Sequence, residues 1–157
     1  MSTAASLHAK LDALYDVLSG LTVSSPDADF EKFASFFAED CRAWLISMRE
    51  LAEPSVGRKG VIQGAKDLVK NMRIEERRVV DRFDSGNRVS VEMSNRYDCL
   101  GKTVDPFWET VTVAFNDEGL ITDFKTYCCR SPMVAIIQDV TGVGPYKCHD
   151  VDSNVTG

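Results

Sequence analysis

Histidine is nearly absent from this 157-residue chain: there are two, His8 and His149, both near the ends. That excludes a histidine base or histidine metal ligand on a central strand. No apolar stretch approaches the length of a membrane span. Basic residues are outnumbered, 18 against 24 acidic, giving a net charge of −6 and a pI near 4.9. Nucleic acid and anionic membrane both require a basic face, so both are excluded as partners. The opening MSTAASLHAK lacks the apolar centre of a secretory signal, and a cytoplasmic protein is expected. Cys41, Cys99, Cys128, Cys129 and Cys148 are odd in number and lack metal-ligand spacing. They read as reduced structural thiols, and no metal is expected. Gly142-Val143-Gly144 is too short and too late for a nucleotide loop, so no cofactor is expected. Asn154-Val155-Thr156 matches a glycosylation acceptor, a chance match without a signal.

What remains is an ordinary globular balance, 44% apolar and 27% charged, at the length of one domain. Residues 1–146 read as that domain and 147–157 as a mobile polar tail. Leu7, Leu11, Leu14, Leu18 and Leu21 recur at helical spacing. Ser24-Ser25-Pro26-Asp27 starts a second helix, with Phe30, Phe33, Phe36 and Phe37 as its stripe. Residues 41–48 read as a strand. A third helix carries Val61, Ile62, Ala65, Leu68, Val69 and Met72. The period then changes to two, predicting strands over 74–84, 87–99, 106–116 and 119–130, joined by short turns. Ser131-Pro132 opens a last helix ended by Gly142. Helices gathered on one side of an antiparallel sheet make an α+β fold.

Three stretches then carry a resemblance: Phe-Phe-Ala-Glu-Asp at 36–40, Gly57-Arg58-Lys59-Gly60-Val61-Ile62, and Phe115 to Ile121 followed by Tyr127. In their order and spacing they resemble the NTF2-like (SnoaL-like) superfamily, over residues 5–140. The resemblance implies a cone: a curved antiparallel sheet wrapped around N-terminal helices, with a pocket inside. The overall look is most similar to fungal secondary-metabolite cyclases and isomerases.

Alternation divides each strand into two faces. Phe107, Glu109, Val111, Val113 and Phe115 share one, and Glu109 is its single acid. Desolvation there would raise its pKa and suit it to general acid–base work near neutrality. The polyketide cyclases of the resembled superfamily also place an acid inward on this strand. Val89, Val91, Met93, Asn95 and Tyr97 share a face, and Asn95 and Tyr97 are candidate donors to a substrate oxygen. Glu109, Asn95 and Tyr97 are the catalytic candidates. The resemblance puts Phe124, Thr126 and Arg130 inward, so these join Trp44, Met93 and Phe107 as candidate substrate contacts. Arg77 and Arg78 point to opposite faces, which makes one of them a candidate to reach Glu109 or a substrate acid, with a solvated arginine as the default reading of each.

Departures narrow the mechanism. The epoxide hydrolases of the superfamily carry Arg, Asp and Asp where this chain has Met93, Asn95 and Thr126. The steroid isomerases carry Asp where it has Leu45 and Val111. The resemblance therefore implies a cofactor-independent isomerase or cyclase of secondary metabolism, acting on a polyketide- or terpenoid-like small molecule with other residues. The alternative is a non-catalytic ligand-binding or scaffolding module. Trp108 on the opposite face, with Thr110, Thr112, Glu92, Ser94 and Arg96, gives a homodimer through the outer sheet face as the expected assembly.

Overall fold

The computed structural model describes residues 3–48 and 53–146. The readings of Cys148, His149, the 147–157 tail and Asn154 to Thr156 lie outside these residues.

Helix α1 (Ala4–Gly20) is capped by Thr3, whose side chain accepts from the Ser6 amide at 3.2 Å. It buries Leu7, Leu11, Leu14, Tyr15 and Leu18 on one face. Helix α2 (Asp27–Ala34) starts after Pro26 and sets Asp27 and Asp29 in its positive first turn. It is shorter than expected: Phe37 belongs to strand β1 (Phe37–Trp44), which starts and ends about one turn early relative to the 41–48 reading. The stripe of phenylalanines therefore spans two elements, and Phe33 and Phe37 meet at 5.5 Å between ring centres. Strand β2 (Ser55–Val56) leads into helix α3 (Gly57–Asn71). Gly57 turns the chain with φ of 67°, where a Cβ would sit 2.9 Å from the Glu39 carbonyl oxygen.

Five strands follow where four were expected: β3 (Met72–Glu76), β4 (Val79–Ser85), β5 (Arg88–Cys99), β6 (Lys102–Phe115) and β7 (Ile121–Cys128). The 74–84 segment breaks at Arg77-Arg78 because a side chain intervenes. The Arg78 amide donates to Asn95 Oδ1 at 2.9 Å instead of to a strand carbonyl. Both halves still pair with β5, through Ile74↔Tyr97 and Phe83↔Ser90. Helix α4 (Ser131–Thr141) closes on Gly142 at φ of 74°, whose amide bonds the Gln138 carbonyl at 2.8 Å.

The sheet order is β2-β1-β7-β6-β5-β3, with β4 also on β5. Consecutive strands from β4 to β7 are antiparallel, as short turns require. The β1–β7 contact is parallel, Ala43 opposite Phe124, and returns the first strand to the last. The architecture is the α+β cone: a strongly curled sheet around α1, α2 and α3. Its inner row is continuous on β5, where Val89, Val91, Met93, Asn95, Tyr97 and Cys99 are all buried. On β6 the inner row is Phe107, Glu109, Val111, Val113 and Phe115, all buried.

Candidate functional site

Glu109 enters the interior because strand alternation fixes its direction. It stands opposite Met93 on β5 and opposite Cys128 on β7. Asn95 and Tyr97 follow Met93 on the same face of β5, so their polar ends converge on the carboxyl. Tyr97 Oη donates to Glu109 Oε1 at 2.8 Å, and Asn95 Nδ2 donates to the same oxygen at 2.6 Å. The amide orientation of Asn95 is fixed from both ends, since its Oδ1 accepts from the Arg78 amide. Among the described residues no donor reaches Glu109 Oε2. A proton on this carboxyl therefore belongs on Oε2, because Oε1 already accepts two hydrogens.

Burial pushes the Glu109 carboxyl above its ordinary pKa. The Tyr97 and Asn95 bonds and the positive charge of Arg77 pull the other way without cancelling it. Burial, then the negative charge of Glu109, holds the Tyr97 and Tyr15 hydroxyls well above the usual phenol range. Both stay hydrogen-bond donors. Behind Tyr15, the Arg77 guanidinium lies 4.5 Å from the ring centre. Its Nη1 donates to Asp12 Oδ1 at 2.7 Å and its Nε to Met93 Sδ at 3.3 Å. Arg77 is thus the member of the arginine pair whose charge acts on Glu109. Arg78 turns outward to Glu76 and Asp105.

Two small chambers meet at the carboxyl. The first, about 20 Å³, is lined by Tyr15, Phe33, Phe124 and Thr126. The second, about 30 Å³, is lined by Phe107, Cys128, Arg130, Met133 and Ile137. Leu45, Leu68, Tyr97 and Glu109 line both. Each has room for about one water molecule, well short of an organic ligand. Admitting an organic ligand would therefore require side chains or α4 to move; α4 buries only Met133.

The sequence candidates divide accordingly. Glu109, Asn95 and Tyr97 come together. Phe124 and Thr126 line the first chamber, Phe107 and Arg130 the second. Met93 is fully buried behind the carboxyl, its sulfur taken by Arg77. Two expectations change. Asn95 and Tyr97 hold Glu109 itself, because a buried carboxyl needs the donors that a substrate oxygen was expected to take. Trp44 is buried, but on the face of β1 turned away from the chambers, packed against Arg42 at 5.0 Å and Lys125 at 5.7 Å. Its neighbour Leu45 takes the wall position.

Tyr15 is the residue that sequence reasoning missed. It is 3% exposed and lines the first chamber, and its hydroxyl makes no hydrogen bond among the described residues. Its signal was its place four residues after Leu11 on the buried stripe, a polar tip on an apolar face.

No protein-family model matches the chain, and no curated protein matches it. Solved structures do. An NTF2-like protein of unknown function from Burkholderia pseudomallei is similar at TM-score 0.66 and 15% identity, over 87% of this chain and 98% of that one. A hypothetical protein with a ketosteroid isomerase-like fold from Catenulispora acidiphila, solved with trimethylamine, is similar at TM-score 0.63 and 13% identity, over 80% and 89%. An epoxide hydrolase from M. tuberculosis is similar at TM-score 0.60 and 14% identity, over 87% and 96%. Likeness at this identity speaks for the fold, and the fold is the NTF2-like, ketosteroid isomerase-like cone.

Proposed function

We propose that this protein is a cofactor-independent isomerase or cyclase for a polyketide- or terpenoid-like small molecule in secondary metabolism, with Glu109 as the proton carrier. The observation that carries the reading is the buried carboxyl with one oxygen held by two donors and the other oxygen unengaged. Protonated Glu109 gives its Oε2 proton to a substrate carbon or oxygen. The carboxylate left behind keeps both hydrogen bonds on Oε1 and the nearby charge of Arg77. It then takes a proton from a neighbouring substrate carbon, so the net change is a rearrangement with no proton gained or lost. The Tyr15 hydroxyl donates to the substrate oxygen on which charge develops. Apolar walls hold the ligand folded for ring closure. Isomerase-like and epoxide-hydrolase neighbours on the same fold agree with enzymatic work of this general kind.

Screening cyclic polyketides and terpenoids for turnover identifies the substrate. On that substrate Glu109→Gln is expected to lower kcat by about 10²–10⁴-fold. Full turnover by the variant would end the acid–base assignment.

The tightness of the chambers favours a second reading, a non-catalytic NTF2-like binding or scaffolding module. In that case no member of the screen is turned over, and Glu109→Gln leaves partner binding unchanged. In either reading the expected assembly is a homodimer through the outer sheet face, where Trp108 is 54% and Tyr127 47% exposed. Sedimentation of the wild type against Trp108→Glu checks it, with a monomeric wild type as the contrary result.

A further inference from the structure

Among the described residues, Arg130 is the one arginine that lines the interior chambers without an ion pair or hydrogen bond of its side chain. Arg58, Arg77, Arg78, Arg82 and Arg96 each bond a carboxylate. Arg42 stacks on Trp44. Arg73, Arg88 and Arg130 make no side-chain ion pair or hydrogen bond among the described residues, and Arg73 and Arg88 are simply exposed. Arg130 is half-buried and lines the second chamber with Phe107, Met133 and Ile137. A guanidinium loses hydration in such a place and gains nothing from the protein in return. Its planar fork of donors matches the two oxygens of a carboxylate.

Its position relative to Glu109 sets the scale. Cys128 pairs directly with Glu109, and Arg130 is two residues further on, so at most about 7 Å of backbone separates the two levels. Cys128 stands between them, and both charges act on its thiol. Both Glu109 and Arg130 line the second chamber, with Phe107, Met72 and Ile137 as apolar wall. A carboxylate on Arg130 therefore leaves the adjoining apolar part of the same molecule at Glu109.

We infer that the ligand is a carboxylic acid, anchored through its carboxylate by Arg130, with its apolar body in the second chamber as α4 and the lining side chains yield to admit it, and its reacting end at Glu109. This rests on the pocket reading above and names the substrate class for it.

The test uses a matched pair of probes on the full-length 15N-labelled protein at pH 7: trans-cinnamate and trans-cinnamamide, titrated by chemical-shift perturbation. The wild type is expected to bind cinnamate about ten- to a hundredfold tighter than the amide. Arg130→Gln erases that preference and keeps the amide affinity. Arg130→Lys keeps part of it, and Arg88→Gln, which removes an exposed unpaired arginine, keeps all of it. Equal binding of the two probes by the wild type overturns the anchor, as does a preference that survives Arg130→Gln. In those cases amide-induced shifts around Glu109 leave the pocket reading standing. Binding of neither probe overturns the anchor and the pocket together.

Discussion

The sheet carries carboxyls on both of its faces, and the two sets behave in opposite ways. Inside, Glu109 sits under Tyr97 and Asn95. Outside, Arg78 holds Glu76 at 2.8 Å and Asp105 at 2.8 Å, while Arg96 holds Glu75 at 3.1 Å. Burial raises the inner carboxyl's pKa, whereas the Arg78 hydrogen bonds lower those of Glu76 and Asp105. One step along a strand separates the two environments, Asn95 from Arg96 and Phe107 from Trp108. The difference lies in what surrounds each carboxyl: neutral donors in a buried interior on one side, cations at an exposed surface on the other. An acid kept protonable is what proton transfer needs, and only the inner cluster supplies one.

The contrast can be broken residue by residue. The largest stability effect is expected at adjacent positions facing opposite ways. Phe107 is 5% exposed and packs edge-on against Tyr97 at 5.1 Å, so Phe107→Ala is expected to cost about 3–5 kcal/mol in urea unfolding. Trp108→Ala, measured on the monomer, stays within about 0.5 kcal/mol. Similar losses at the two positions would mean that the outer face is packed as tightly as the inner.

A smaller effect is expected one strand over. Asn95→Ala strips one donor from Glu109 and the acceptor from the Arg78 amide, a loss of about 1–3 kcal/mol. The same change pushes the Glu109 pKa further up, because a bond to the charged form is gone. Ser94→Ala, pointing the other way, is expected to change stability by no more than about 0.5 kcal/mol. Equal costs would show that the Asn95 bonds contribute nothing beyond strand packing.

The subtlest expectation concerns pH. A carboxyl whose folded pKa is raised binds its proton more tightly folded than unfolded. Its contribution is therefore complete below the unfolded pKa and is lost as pH rises toward the folded one. Glu109→Gln removes that dependence, so its melting temperature should exceed that of the wild type at pH 8, with the gap closing at pH 4. The exposed Glu76 and Asp105 run in the opposite sense, giving stability that fades only as pH falls. A melting gap that is flat with pH would place Glu109 in an ordinary carboxyl environment.

Much of this was legible in the sequence because alternation is a strict rule. Val89 to Tyr97 and Phe107 to Phe115 face inward as their spacing predicted, and Glu109 was visible as one acid in an apolar row. Helix α4 was legible from Ser131-Pro132 and Gly142. What was hidden depended on partners distant in the chain. Nothing local marks Arg77-Arg78 as a strand break, since the cause is the Asn95 side chain seventeen residues away. The early start of β1 was masked because Phe36 and Phe37 continue the helical spacing of Phe30 and Phe33. The parallel pairing of β1 with β7 brings Leu45 to the chamber wall, and no local pattern announces it. Tyr15 was hidden among leucines, and the volume of a cavity is a property of packing alone.

The central claim is that Glu109 holds a proton-carrying carboxyl inside the cone. The most direct test is a pH titration of its carboxyl carbon by NMR in protein labelled at glutamate Cδ, with Glu109→Gln identifying the resonance. The account predicts a midpoint above that of every exposed glutamate in the same spectrum. A midpoint at or below the ordinary glutamate value would contradict it.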